Sequence, residues 1–298
     1  MISSRRPGDS DAPAMLIDLD AVIESAHSLD PLPVSVGRLA ALVADEDADL
    51  REIVEVITYD QALTGNLLRR ANSAASAGRN PIRTVHEAVV RLGTGTVLAL
   101  AMSASVSKRM GRPIPEYGLA EGQLWNHSVL ATLAAETVRA ASKVPVPAEV
   151  ATAGLLHDVG KLVLARFLGP GVLNLLVLAR DVDGLTELEA ERSVLQVHHG
   201  ELGGLIAQHW RLPDTIVQGI TYHHDPMQAL LPICFASHLA NLVAETLSRP
   251  GDEPVIVSER EVAARDRSLE ELGISPSAWD SLRRTVETRF EDLRERYL

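Results

Sequence analysis

The sequence contains few of the residues that disulfides, aromatic cores and cysteine-based metal sites require. Cys234 is the single cysteine in 298 residues, which excludes an internal disulfide and a cysteine-based zinc cage and is typical of a reducing cytoplasm. Aromatic residues make up 3% of the chain, whereas hydrophobic residues make up 46%. The core must therefore consist of Leu, Val, Ala and Ile, which is the usual filling of packed helices.

Basic charge is also scarce, because the formal net charge is −12. A negative net charge repels the phosphate backbone of nucleic acids, so we expect no nucleic-acid partner. The first residues, MISSRRPGDSDAPA, lack the apolar segment of a signal peptide, and the longest apolar runs, 96–107 and 162–179, are too short or too interrupted to span a bilayer. We therefore expect a cytoplasmic protein with no membrane contact.

The apolar residues recur mainly at helical spacing, and only the stretch PVIV at 254–257 resembles a strand. The pattern predicts an all-α protein, built as a two-lobed helical bundle. It also predicts long helices over 119–142, 151–166, 186–209, 213–224 and 230–247. The predicted organisation is a disordered lead (1–25), an N-terminal helical lobe (26–110), a second helical lobe (111–247), a linker (248–274) and a C-terminal helix (275–298).

Polar chemistry is concentrated in an otherwise apolar stretch, ATAGLLHDVGKLVLAR at 151–166. In a helix, His157, Asp158 and Lys161 share one arc with small residues, which indicates that this face is packed rather than solvated. A buried charge is costly unless it is paired or bound to a metal. Two interpretations remain open: an internal Asp158–Lys161 pair with His157 bonded to a backbone carbonyl, or a metal site.

Further histidines lie on apolar helical stripes in the second half of the chain. A single histidine on such a stripe is usually a satisfied core residue, but several on successive helices favour a shared site. Imidazoles together with a carboxylate are ligands for Zn²⁺, Fe, Mn²⁺ or Ni²⁺, and helical bundles build such sites from facing helices. The histidines concerned are His127, His199, His223, His224 and, less clearly, His198.

These motifs resemble the metal-dependent HD phosphohydrolase superfamily, and more specifically the HDOD domain, the HD-related output domain of bacterial signalling proteins. The resemblance extends over about 30–245, roughly two thirds of the chain, and it makes the second lobe HD-like. The motifs that carry it are LPxxVGRLxxLV, LLRRANSA at 67–74, EAVVRLG at 87–93, WNHS at 125–128, GLLHDVGK at 154–161, HGELGGLIAQHWRLP at 199–213 and ITYHH at 220–224.

The resemblance implies that this chain retains only part of the HD metal site. HDOD domains are generally degenerate relatives of the HD enzymes that have lost metal ligands and serve regulatory or scaffolding roles. This chain retains His127, His157 and Asp158, but Asn241 stands where active HD enzymes have a last aspartate. After His224 the sequence reads DPMQALLP, without the Gly-Tyr-Pro signature of the cyclic di-GMP phosphodiesterases.

Three functional hypotheses follow. The first is a non-catalytic bacterial signal-transduction module that binds signalling proteins and retains part of the HD metal site. The alternative is a metal-dependent phosphohydrolase acting on a nucleotide or cyclic nucleotide, with Asp158 and Lys161 as catalytic residues. The third is a sensor that binds a metal or small ligand without turnover. The predicted metal ligands are His127, His157, Asp158, His199, His223 and His224.

Overall fold

A computed structural model describes residues 17–74, 81–182, 184–248 and 259–297. Within these ranges the chain is helical, and its only β-type pairing is one isolated bridge between Ile114 and Leu119. The predicted all-α class is confirmed. No single described helix is long and apolar enough to cross a membrane. The helices Val85–Leu92 and Thr94–Met110 would together be long and apolar enough, but the chain bends by 109° between them.

The first part of the chain forms short helices whose starts are fixed by side-chain caps. Asp49 and Asp60 accept hydrogen bonds from the first backbone N–H groups of their helices, and Thr84 forms a capping box with Glu87. Gly93, at φ 80°, ends the fifth helix. The helices are α1 (Leu19–His27), α2 (Val34–Ala44), α3 (Leu50–Thr58), α4 (Gln61–Ala74), α5 (Val85–Leu92) and α6 (Thr94–Met110).

The second part supplies the helices that surround the polar cluster. They are α7 (Gln123–Ala141), α8 (Val150–Leu156), α9 (Lys161–Leu164), α10 (Pro170–Asp181), α11 (Glu187–Leu195), α12 (His199–His209), α13 (Asp214–Thr221), α14 (Pro232–Ser248), α15 (Glu259–Glu271) and α16 (Pro276–Tyr297). Short 3₁₀ turns lie at Pro115–Tyr117, Ala165–Phe167 and Pro226–Gln228.

Helix α7 lies at the centre of the second part. It packs against α8, α14 and α16, and α6 from the first part contacts both α7 and α8. Small residues let these helices approach closely, since Ala131, Ala134 and Ala135 of α7 are fully buried. One hydrophobic core continues across the predicted lobe boundary near residue 110, so that boundary stays a prediction.

Two predicted long helices are wrong as single elements. The stretch 151–166 breaks into α8 and α9, because residues after Leu156 switch to i→i+3 bonds, including Lys161 N–H to the Asp158 carbonyl at 3.0 Å. The stretch 186–209 breaks into α11 and α12 at Gln196, which has φ 62°. A second N-cap at His198 then starts α12.

The predicted lead and linker also require correction. Residues Leu19–His27 form α1, so the part of the lead from residue 19 onward is helical, with Asp18 as its N-cap. The predicted linker 248–274 contains α15, which packs against α14. The first 16 residues and the PVIV stretch lie outside the described residues. The C-terminal helix is present as α16, which starts after Ser275.

Candidate metal centre

The turn between α8 and α9 presents His157 and Asp158 to the interior. Both side chains are almost fully buried, at 1% and 3% exposure. Gly160 brings this turn against α12: a Cβ atom there would lie 1.9 Å from the carbonyl oxygen of His199. Only glycine permits this approach, which places Asp158 beside the start of α12.

One side of Asp158 faces His127 of α7 and His157. Nε2 of His127 lies 3.0 Å from Nε2 of His157, and Oδ2 of Asp158 lies 3.6 Å from each of these nitrogens. Two ligands of one tetrahedral Zn²⁺, each at about 2.0–2.2 Å, are roughly 3.4 Å apart. The three donor atoms therefore have separations suited to one small metal ion.

The other side of Asp158 faces His199, His223 and His224. Nε2 of His199 lies 3.3 Å from Oδ1 of Asp158 and 2.9 Å from Nε2 of His224. One nitrogen from each of these three histidines lies within 4.8 Å of the other two. Asp158 thus has one carboxylate oxygen next to each group of histidines.

In three of these imidazoles, a hydrogen bond at Nδ1, the nitrogen that points away from Asp158, fixes the tautomer of the neutral ring. Nδ1–H of His157 and of His223 donates to the main-chain carbonyl three residues earlier, at 2.7 and 2.6 Å. Nδ1 of His199 lies 2.7 Å from a carboxylate oxygen of Glu191. Because an acceptor holds each Nδ1–H, the neutral rings keep an unprotonated Nε2. Such outer-shell bonds are typical of metal-binding histidines.

His223 is the member of the cluster whose polar atom lacks a partner. Its side chain is fully buried, and its Nε2 has no hydrogen-bond partner among the described residues. A buried polar atom left unsatisfied is unfavourable, by about 1–3 kcal/mol. A cation placed among His199, His223 and His224 would satisfy it.

Burial keeps most of these rings neutral. It lowers the pKa of His127 to about 3, and it lowers the pKa values of His157, His223 and His224 as well. Burial also acts on the pKa of His199, but the neighbouring Glu191 carboxylate outweighs it and the pKa is raised. Neutral imidazoles are the form that binds metals.

Lys161 forms ion pairs beside the cluster. Its Nζ lies 3.1 Å from Oδ2 of Asp158 and 2.7 Å from Oε1 of Glu187. Burial opposes the charged ammonium, yet these carboxylates raise the pKa of Lys161, so it remains protonated. Burial likewise disfavours ionised Asp158, but Lys161 and the histidines lower its pKa. The internal Asp158–Lys161 pair and the convergent histidines therefore coexist.

The structure brings together all six predicted metal ligands, henceforth the histidine cluster: His127, His157, Asp158, His199, His223 and His224. His198 lies outside the cluster, as the cap of α12. Asn241 does reach it, because its Oδ1 lies 3.2 Å from Nε2 of His127.

Sequence reasoning missed four polar residues around the cluster. Glu187 forms an ion pair with Lys161, and Glu191 contacts Nδ1 of His199. Nδ1–H of His238 donates to the main-chain carbonyl of His223 at 2.8 Å. Glu245 accepts a hydrogen bond from Nδ2 of Asn241 at 2.8 Å, and burial raises its pKa to about 7. The i+4 spacing of Asn241 and Glu245 was a local signal for their contact.

A cavity of about 320 Å³ lies at the edge of the histidine cluster. His224 and Asp225 line one side, and α15 lines the other through residues that include Arg260 and Arg267. This volume is at the lower end of the range for small-ligand pockets. His224 therefore lines this cavity and also belongs to the second group of histidines.

A comparison with protein families identifies the chain. The model of the HDOD domain matches residues 29–226. The chain belongs to the HDOD family. The matched HDOD region contains all six residues of the histidine cluster, whereas Asn241, Glu245 and the helices α14 to α16 lie beyond it.

Solved structures of other bacterial proteins share the fold of this chain. An HDOD domain protein of unknown function from Geobacter sulfurreducens superposes with a TM-score of 0.66 at 24% identity, covering 93% of this chain and 99% of that one. A protein predicted to be a phosphohydrolase, from Shewanella amazonensis SB2B, has a TM-score of 0.64 at 22% identity, covering 92% and 97%. At these identities the likeness shows the fold.

A curated relative is similar over part of its length. An uncharacterised protein of Treponema pallidum (strain Nichols) is 26% identical over 215 residues, which are 69% of this chain and 39% of that protein. The HDOD chain thus spans about two fifths of the length of this relative.

Proposed function

We propose that this HDOD chain is a bacterial signal-transduction domain that binds divalent transition-metal ions in its histidine cluster and acts as a regulatory or interaction module. One observation carries the proposal. His157 and His223 each have Nδ1–H held by a main-chain carbonyl, so their Nε2 lone pairs point into the cluster, where that of His223 has no hydrogen-bond partner among the described residues. A buried lone pair that has no hydrogen-bond donor favours a bound cation.

The donor atoms indicate the class of metal. Imidazole nitrogens with one carboxylate suit Zn²⁺, Fe, Mn²⁺ or Ni²⁺. His127, His157 and Asp158 would hold one ion, and His199, His223 and His224 a second, with an Asp158 oxygen beside each group. The single cysteine, Cys234, contacts the carbonyl of Gln218 and belongs to neither group.

A regulatory role is favoured over turnover by two features of the cluster. Asn241 places a neutral amide where a carboxylate would add negative charge, and Lys161 already neutralises part of the charge of Asp158. Both features lower the anionic character of the site. The partners of such a module would be signalling proteins, and a metal-loaded cluster without turnover would also serve as a sensor.

Metal analysis of the purified full chain tests the proposal. We expect Mn²⁺ or Zn²⁺ added to chelator-treated protein to raise the melting temperature by roughly 5 °C at a hundredfold excess over Kd. His157→Ala should reduce this shift by removing the ion held with His127 and Asp158, whereas His86→Gln, at an exposed position of α5, should retain it in full. Protein that takes up no metal under these conditions would refute the proposal.

A second candidate function is phosphoester hydrolysis of a nucleotide or cyclic nucleotide. It is favoured by Asp158, whose two oxygens face the two histidine groups, and by the protonated Lys161 next to it. Bound metal ions would lower the pKa of a water molecule and polarise a phosphoryl oxygen. Asp158 would hold the ions, and the ammonium of Lys161 would balance charge developing on the phosphate.

An activity screen separates the two candidates. Metal-loaded protein is incubated with a panel of nucleotides and cyclic nucleotides, and phosphate or monoester release is measured. Turnover on the order of 1 per second that is lost in His157→Ala and Lys161→Met would establish the hydrolase. Metal binding without turnover on the panel would support the regulatory module.

A further inference from the structure

Helix α14 places a polar pair at the edge of the histidine cluster. Oδ1 of Asn241 lies 3.2 Å from Nε2 of His127. Nδ2 of the same amide donates to Oε1 of Glu245, one helical turn later, at 2.8 Å. These two contacts make the amide a bridge between a histidine of the cluster and a carboxylate. Asn241 itself is buried, with 3% exposure.

The carboxylate decides which end of the amide faces the cluster. A side-chain amide has an accepting oxygen and a donating nitrogen, and rotation by half a turn exchanges them. Only the oxygen can bind a metal ion. An ionised carboxylate accepts hydrogen bonds but cannot donate them, so Glu245 attracts the nitrogen and leaves the oxygen toward His127.

The same bond makes the oxygen a better ligand. A hydrogen bond from an amide N–H to a carboxylate polarises the amide and increases the negative charge on its oxygen. When ionised, the carboxylate also supplies a negative charge one hydrogen bond away from Asn241. It thereby compensates in part for the neutral side chain at position 241.

We propose that Glu245 is a positioning residue, which orients and polarises Asn241 so that Oδ1 completes the metal site formed by His127, His157 and Asp158. This inference rests on the proposed metal binding. It assigns a role to a residue beyond the matched HDOD region. It also explains how a site can retain metal affinity with asparagine in place of aspartate.

Affinity measurements on the full chain test the inference. Mn²⁺ is titrated calorimetrically, at mildly alkaline pH, into the wild type, Glu245→Gln, Asn241→Leu and the double variant. A glutamine side chain at position 245 can accept from Nδ2 of Asn241 or donate to its Oδ1, so it no longer fixes the orientation of the Asn241 amide. We therefore expect Glu245→Gln to weaken Mn²⁺ binding by tenfold or more. The control Glu52→Gln changes an exposed residue of α3 and should leave the affinity unchanged.

The double variant distinguishes positioning from a purely structural role. If Glu245 acts through Asn241, Asn241→Leu weakens binding at least as much, and Glu245→Gln adds nothing further in that background. Equal affinity of wild type and Glu245→Gln, or additive losses in the double variant, would overturn the inference alone. A wild type that binds no Mn²⁺ or Zn²⁺ would overturn the proposed function as well. The melting temperature of each metal-free variant reports any general loss of stability.

Discussion

Substitution of Gly160 by alanine tests how the fold assembles the histidine cluster. The new Cβ atom would lie 1.9 Å from the carbonyl oxygen of His199, whereas ordinary contact begins at 3.4 Å. The obstructing atom is backbone, so the turn after α8 and the start of α12 must separate by about 1.5 Å. Overpacking of this kind costs about 1–3 kcal/mol. The same displacement moves Asp158 away from His199.

The assay is urea unfolding of the metal-free protein, followed by metal titration. We expect Gly160→Ala to lower the free energy of unfolding by about 1–3 kcal/mol and to weaken metal binding. The matched control is Gly171→Ala in α10, where an added Cβ meets nothing within 4 Å; it should stabilise the protein by about 0.5–1 kcal/mol. Wild-type stability and metal affinity in Gly160→Ala would refute the reasoning.

Three further predictions concern other parts of the chain. Asn72→Ala should lower the free energy of unfolding by about 1–3 kcal/mol in urea, because its amide bonds two backbone carbonyls and one N–H. The thiol of Cys234 should resist Ellman's reagent until the protein unfolds, since burial raises its pKa to about 12. Arg289→Ala should cost about 1 kcal/mol, measured as a lower melting temperature, because it removes the half-exposed ion pair with Glu136 that joins α16 to α7.

The sequence was sufficient to predict the helical class and the candidate ligands. The helix starts at Asp49, Asp60 and Thr84 depend on local caps, which involve residues at most three positions apart. The candidate histidines lie on apolar stripes, and burial of these stripes turns the imidazoles toward a shared interior. The helical stripes already made His127 the natural partner of His157 and Asp158, and the resemblance to HDOD proteins implies the same pairing.

What the sequence did not predict depends on contacts between distant segments. The break after Leu156 is stabilised by the packing of Gly160 on α12, which no local pattern reveals. Glu191 and Glu245 occupy helix positions where a glutamate usually faces solvent, yet tertiary packing places them behind His199 and Asn241.

Anomalous diffraction from crystals grown with Mn²⁺ or Zn²⁺ shows directly whether metal ions occupy the histidine cluster. We expect metal peaks beside Asp158, one against His127 and His157 and a second against His199, His223 and His224. This expectation would be contradicted by crystals at saturating metal that show no peak there, with the Nε2 atoms of the histidines bonded only to one another or to water.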